Sequence, residues 1–188
     1  MQNESLIPTR RLTRAIRLGP YLIGGGHPIR VQSMTNTDTR DVAATLAQIN
    51  ALARAGCEIV RLAVLDEDAA RAIAAIKSQS PAPLVADIHF DHRLAVRALE
   101  SGSVALRINP GNIGGQRAVD AVAAAANDRG VQIRIGVNSG SVEKELLRTY
   151  GGPTPEAMVE SALLHVALLE ARGFDQIKIS LKSSSVPR

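Results

Sequence analysis

From residue 31 onward, short apolar stretches alternate with amphipathic ones, and this alternation limits the possible folds more than any single motif does. Residues 31–35, 59–64, 84–90, 105–109, 132–138 and 176–182 are rich in Val, Ile and Leu and read as strands. Helical patterns lie between them. Val42, Leu46, Ile49 and Leu52 recur at helical spacing, with Gly56 as the stop. Ala69, Ile73 and Ile76 form the next stripe, and Leu94, Ala98 and Leu99 form a third behind Asp91 as N-cap, ending at Gly102. A fourth helix covers residues 118–127 and ends at Gly130. A helix over residues 141–150 and a stronger one follow, the latter with Thr154 as N-cap, Pro155 at its first position and Gly173 at its end.

Strands separated by helices pair in parallel through right-handed crossovers, which leaves an open doubly wound sheet or a (β/α)8 barrel. The polar residues on the strands decide between them. Arg61, Asp87, His89, Arg107, Asn109, Arg134, Asn138, Lys178, Ser180 and Lys182 lie within strands or at their C-terminal ends. In a barrel those ends surround one mouth; in an open sheet they line a wide edge where most share no ligand. A complete barrel takes about 250 residues and eight strands. With 188 residues and strand patterns for about six of the eight, the expectation is an incomplete TIM-barrel-type (β/α) domain over residues 31–188. An N-terminal arm and β-hairpin precede it over residues 1–30, with residues 15–23 and 29–31 read as two short strands around the connection Gly24-Gly-Gly-His-Pro28.

The stretch Ala105-Leu-Arg-Ile-Asn-Pro-Gly-Asn-Ile-Gly-Gly115 shows what the mouth is built to hold. Leu106 and Ile108 form one half of a period-two pattern, so Arg107 and Asn109 share the other face. Pro110 keeps Asn109 out of the α region, while Gly111, Gly114 and Gly115 let backbone N–H groups approach an anion ahead of a helix N-terminus. Three further strands each add a cation, Arg61, Arg134 and Lys178. Arginine grips phosphate in a bidentate way and lysine adds a mobile point charge, so the fitting ligand is a small phosphate or diphosphate. Asn109 and Asn138 orient its hydroxyls or bridging oxygens. Asp87 and His89 suit hydrogen bonding to substrate better than a metal, because two groups are one short of an ordinary catalytic metal site.

Other chemistries lack support. The net charge of +4 suits an acidic ligand, but aromatic residues are only 2%, too few to stack unpaired bases, and the Arg10, Arg11, Arg14 and Arg17 cluster reads as a solvated arm; no nucleic-acid partner is expected. There is no Gly-x-Ser-x-Gly, Walker A or His-Glu-x-x-His. Cys57 is the single cysteine and reads as a small buried hydrophobe in a reducing compartment. The first residues lack the apolar region of a signal peptide and no apolar run spans a bilayer, so a cytoplasmic protein without membrane contact is expected.

Six blocks, taken in order, resemble the 4-hydroxy-3-methylbut-2-enyl diphosphate synthase family over its N-terminal barrel portion. They are Val31-Gln-Ser-Met-Thr-Asn-Thr-Asp-Thr, Cys57-Glu-Ile-Val-Arg, Leu84-Val-Ala-Asp-Ile-His-Phe-Asp, Leu106-Arg-Ile-Asn-Pro-Gly-Asn-Ile-Gly, Ile133-Arg-Ile-Gly-Val-Asn-Ser-Gly-Ser and Asp175-Gln-Ile-Lys-Ile-Ser-Leu-Lys. The resemblance implies an oxidoreductase of the methylerythritol phosphate (MEP) route to isoprenoids, which opens and reductively dehydroxylates 2-C-methylerythritol 2,4-cyclodiphosphate. Electrons come from ferredoxin or flavodoxin through a 4Fe-4S cluster, and the full-length enzymes are homodimers. By the same resemblance Arg61, Arg107, Arg134 and Lys178 bind the diphosphate with Asn109 and Asn138 beside them, Asp87 lies near the substrate hydroxyls, and His89 and Ser180 complete the set.

The chain also departs from that family. Its members hold the cluster on three cysteines and a carboxylate in a C-terminal iron–sulfur domain, and no such cysteines occur in these residues. The expectation is therefore a chain without that domain, with no metal site and no turnover by itself. Two other readings stay open here: a pterin-diphosphate transferase barrel similar to dihydropteroate synthase, and a non-catalytic anion-binding fragment.

Overall fold

A computed structural model describes residues 11–109 and 113–184. Pro110 and Gly111 lie outside the described residues, so the turn expected after Asn109 is seen only from Ile113 onward. Strands β1 (Ile16–Leu18) and β2 (Tyr21–Ile23) form an antiparallel hairpin. The strands β3 (Gln32–Met34), β4 (Ile59–Val64), β5 (Leu84–Ile88), β6 (Ala105–Ile108), β7 (Gln132–Asn138) and β8 (Ile177–Lys182) form one parallel sheet in that order. The sheet is curled, with helices outside it, and is an incomplete TIM barrel of six strands.

Helices α1 (Val42–Arg54), α2 (Glu67–Lys77), α3 (His92–Glu100), α4 (Gln116–Arg129), α5 (Lys144–Tyr150) and α6 (Pro155–Glu170) provide the crossovers. Their starts follow local chemistry. The Asp66 side chain accepts from the Ala69 N–H, Asp91 from Arg93, and Thr154 from Ala157 with Pro155 at the first turn. Gly130 closes α4 in the left-handed conformation that favours glycine.

Every second strand residue faces the helices. Val60, Leu62, Ala86, Ile88, Leu106, Ile108, Ile133 and Ile135 are buried there against Ile73, Ile76, Leu99, Val119 and Val122. Each fully buried Leu, Ile or Val contributes about 1.5–3 kcal/mol, so this layer holds the sheet in shape. The inner face is different. At its lower end Ile59, Val85 and Ala105 pack against Leu18 of β1, so the hairpin plugs the bottom of the half-barrel. Above that layer the inner face turns polar.

Four expectations are corrected. The hairpin does not join residues 15–23 to 29–31 across Gly24–Gly26; it turns at Gly19-Pro20, with Leu18 opposite Tyr21. A two-residue loop with glycine at positive φ (55°) and proline next matches the twist of paired strands. Residues 29–31 form no strand; Val31 is tied down instead by Glu58, which accepts its N–H and pairs with Arg30 at 2.7 Å. Strand β5 stops at Ile88, so His89 and Phe90 belong to the loop before the Asp91 cap. Helix α5 begins at Lys144 because a 3-10 turn (Ser139–Ser141), capped reciprocally by Asn138 and Ser141, comes first. No described helix is long and apolar enough to cross a membrane.

Candidate functional site

Strand register builds the site. Asp87 on β5 pairs with Arg107 on β6, Arg107 with Arg134 on β7, and Arg134 with Lys178 on β8. Residues in one register on adjacent parallel strands point to the same face, so these four form a single row on the inner surface. Arg61 on β4 pairs with Val85, two residues before Asp87, and so sits one inward-facing layer below the row.

Among the described residues one carboxylate, Asp87, pairs with these cations. The Asp87 side chain is 5% exposed; its Oδ1 lies 3.2 Å from Arg107 Nη1 and its Oδ2 lies 3.4 Å from Arg61 Nε. His89 Nε2 is 3.5 Å from the same Oδ1. Arg61 Nε also donates to Met34 Sδ at 3.2 Å, which fixes the guanidinium from the other side. Arg134 Nε donates to Ser180 Oγ at 2.9 Å. Lys178 has no hydrogen-bond or ion-pair partner among the described residues.

The excess positive charge registers in the protonation equilibria. Burial, followed by repulsion from Arg61 and Arg107, holds Arg134 below the usual guanidinium value, with Asp87 opposing. Burial and repulsion from Arg134 and Arg61 push Lys178 down to about 8. Such a cluster is costly while it holds no counter-ion and is relieved when an anion enters.

Arg61, Arg134 and Lys178 line a cavity of about 480 Å³ together with Met34 and with Ile23, Gly24 and residues 27–30 of the segment after the hairpin. Asp87 and Arg107 join it through the ion pairs above. Asn109 is buried two residues beyond Arg107, and Asn138 is exposed at the end of β7, its N–H donating to Ser141 Oγ. The cavity therefore lies below Asn109 and Asn138, nearer the hairpin than sequence spacing suggests. His27 and Arg30, which also line it, were not among the residues expected there.

A further unexpected residue is Gly136. A Cβ at that position would lie 2.6 Å from Arg107 Nε and 2.8 Å from its Nη2. The absent side chain is thus the space the guanidinium occupies, and Arg107 Nη2 donates to the Gly136 carbonyl at 3.4 Å. A glycine inside an apolar strand marks close approach by another group, and that is the signal by which the sequence could have revealed it. Gly136→Ala should leave the fold intact, because no positive φ is required there, yet displace the Arg107 guanidinium. Pyrophosphate affinity by calorimetry should fall roughly tenfold, the low end of the range for losing a charge-assisted hydrogen bond outright. Unchanged affinity would show that Arg107 does not need its present position.

The residues do not fit an iron–sulfur cluster. Cys57 is buried, its thiol donates to the Ile59 carbonyl at 3.1 Å, and among the described residues no three His, Cys, Asp or Glu side chains converge on a metal site.

Residues 13–188 match the family model described as the GcpE TIM-barrel domain. The chain is 67% identical over 177 residues to a Maridesulfovibrio salexigens protein named 4-hydroxy-3-methylbut-2-en-1-yl diphosphate synthase (flavodoxin), covering 94% of this chain and 49% of that protein. A Geobacter sulfurreducens protein of the same name is 65% identical, with 94% and 50% covered. The chain thus spans about half the length of the curated relatives it matches. Among solved structures, a Yersinia pestis dihydropteroate synthase superposes with TM-score 0.60 at 13% identity, covering 89% of this chain and 61% of its own. A Thermotoga maritima phospho-2-dehydro-3-deoxyheptonate aldolase gives 0.64 at 12%, covering 88% and 45%. These two establish the barrel fold and nothing about chemistry.

Proposed function

The chain belongs to the GcpE family, in its TIM-barrel domain, and from that premise we propose that its half-barrel binds 2-C-methylerythritol 2,4-cyclodiphosphate. In this reading it is the substrate-binding part of a 4-hydroxy-3-methylbut-2-enyl diphosphate synthase, an oxidoreductase of isoprenoid biosynthesis in the cytoplasm. The relatives' names specify flavodoxin, and we take a flavodoxin-type donor, with ferredoxin as the other candidate, as the electron source. A 4Fe-4S cluster and a homodimeric full-length enzyme belong to the same proposal.

The supporting observation is the row of Arg107, Arg134 and Lys178 on three adjacent strands, with Arg61 below it and Asp87 as the counter-charge among the described residues. A diphosphate supplies the missing negative charge. The arginines grip its oxygens while Asp87, both of whose oxygens are engaged by Arg61 and Arg107, has a further lone pair with which to accept from a substrate hydroxyl. Asn109, Asn138, His89 and Ser180 are assigned around the rest of the ligand. Binding energy spent on the diphosphate, away from the reacting carbon, positions that carbon at the open side of the half-barrel. A pterin-diphosphate transferase draws on fold likeness alone, so the cyclodiphosphate is preferred.

Arg107→Ala is expected to weaken cyclodiphosphate binding by about 1.5–3 kcal/mol, the worth of a hydrogen bond to a charged group, or roughly ten- to a hundredfold. Asn127→Ala, on the exposed side of α4, should change nothing. Calorimetry that ranked the two variants equal would remove Arg107 from the site, and stabilisation by a pterin diphosphate in place of the cyclodiphosphate would transfer the chain to the other reading.

A polypeptide of these 188 residues alone is expected to form no product. Cluster ligation takes several thiolates and the sequence has one, buried and donating to the Ile59 carbonyl. Anaerobic iron–sulfur reconstitution should yield no charge-transfer absorbance, and reduced flavodoxin should yield no turnover. Product from that polypeptide unaided would mean that the chemistry is misassigned.

A further inference from the structure

We propose that Lys178 Nζ condenses with small aldehydes that carry a phosphate, a step that rests on reading the cavity as a diphosphate site. Strand β8 places Lys178 on the inner face, where it lines the 480 Å³ cavity beside Arg61 and Arg134. Cavities of this size suit small ligands. A lysine in such a position ordinarily ends against a carboxylate. Here Asp87, the carboxylate of the row, is taken by Arg61 and Arg107, and Lys178 is left without a partner among the described residues. The two arginines that line the cavity are suited to hold a phosphate, so an aldehyde tethered to that phosphate sits within reach of the amine.

The surroundings also set its reactivity. Burial, with Arg134 and Arg61 close by, brings the Lys178 amine down to about 8, so at pH 8 about half of it is the free base that attacks carbonyls. The other charged or titratable groups around it are Arg107 and Asp87 along the row, His27 and Arg30 across the cavity, and Lys182 further along β8. The amine nitrogen adds to the carbonyl carbon, its two protons pass in turn to the carbonyl oxygen, and that oxygen leaves as water, giving a neutral imine without net oxidation or reduction. A bound diphosphate holds Lys178 protonated and fills the same space, so diphosphates and phosphorylated aldehydes exclude each other.

Pyridoxal 5′-phosphate is the probe, with borohydride reducing the imine to a stable secondary amine and peptide mapping to locate it. The chain has four lysines, and Lys77, Lys144 and Lys182 are exposed internal references. At pH 8 Lys178 should be labelled roughly tenfold faster than the other three, since it combines a lowered amine with two arginines that hold the probe's phosphate beside it. Inorganic pyrophosphate should suppress that labelling, pyridoxal lacking the phosphate should label more slowly, and Lys178→Arg should abolish the adduct. Even labelling of all four lysines, or equal rates with and without the phosphate on the probe, overturns the proposal; mapping on the unaltered chain decides even where the variant folds poorly. Cyclodiphosphate calorimetry is a separate arm. Loss of that binding with Lys178 still labelled removes the function proposed above, and intact binding with Lys178 unlabelled removes only the imine.

Discussion

Asp87→Asn is expected to destabilise the folded chain by about 3 kcal/mol in anion-free buffer, the low end for breaking a buried pair because Arg61 keeps some contact with water. The carboxylate is 5% exposed and serves Arg107, itself 12% exposed, and Arg61, 23% exposed. Asparagine keeps the shape and removes the charge, leaving Arg61, Arg107, Arg134 and Lys178 to repel one another across adjacent strands. Any anion that enters then repays more than it does in the parent, so pyrophosphate should raise the denaturation midpoint further in the variant. Chemical denaturation with and without pyrophosphate measures both halves. Equal stability in anion-free buffer, with equal gains on pyrophosphate, would show that Asp87 is not the counter-charge of the cluster.

The same row shows how far local sequence carries. Strands β4 and β7 end where their apolar alternation ends, and the caps at Asp91 and Thr154 follow from side chains that reach their own helix N-terminus. These features involve neighbours in the chain. Register involves strands tens of residues apart: nothing near Arg107 states that Arg134 and Lys178 lie level with it while Arg61 lies one layer below. The common mouth was legible only because each strand carries its polar residue at a similar distance from its start. The floor of the cavity was not legible. His27 and Arg30 reach it because the hairpin turns at Gly19-Pro20 and plugs the barrel bottom through Leu18, which leaves the following segment free to run along the open side. Gly136 was missed for a related reason, since its role is defined by a guanidinium from another strand.

Phe174→Ala should cost about 3–5 kcal/mol, the range for deleting a large buried aromatic, and its consequences should concentrate on β8. Phe174 is 1% exposed, lies between α6 and β8, and packs in the main core; its N–H donates to the Leu169 carbonyl and ends the helix. It is the apolar anchor that sets where β8 begins. Among the described residues that strand pairs with β7 alone, and its outward residues Ile179 and Leu181 are each 45% exposed, so within them it has less packing to fall back on than β4 to β7. Yet it carries Lys178 and Ser180, the cation at the end of the row and the hydroxyl that accepts from Arg134. In the variant, β8 amides should exchange with solvent well before those of β5 and β6, and pyrophosphate affinity should fall although no residue touching the anion has changed. A uniform rise in exchange across all six strands would mean that β8 unfolds only with the whole sheet. In that case the site would share the stability of the core instead of resting on its least supported edge.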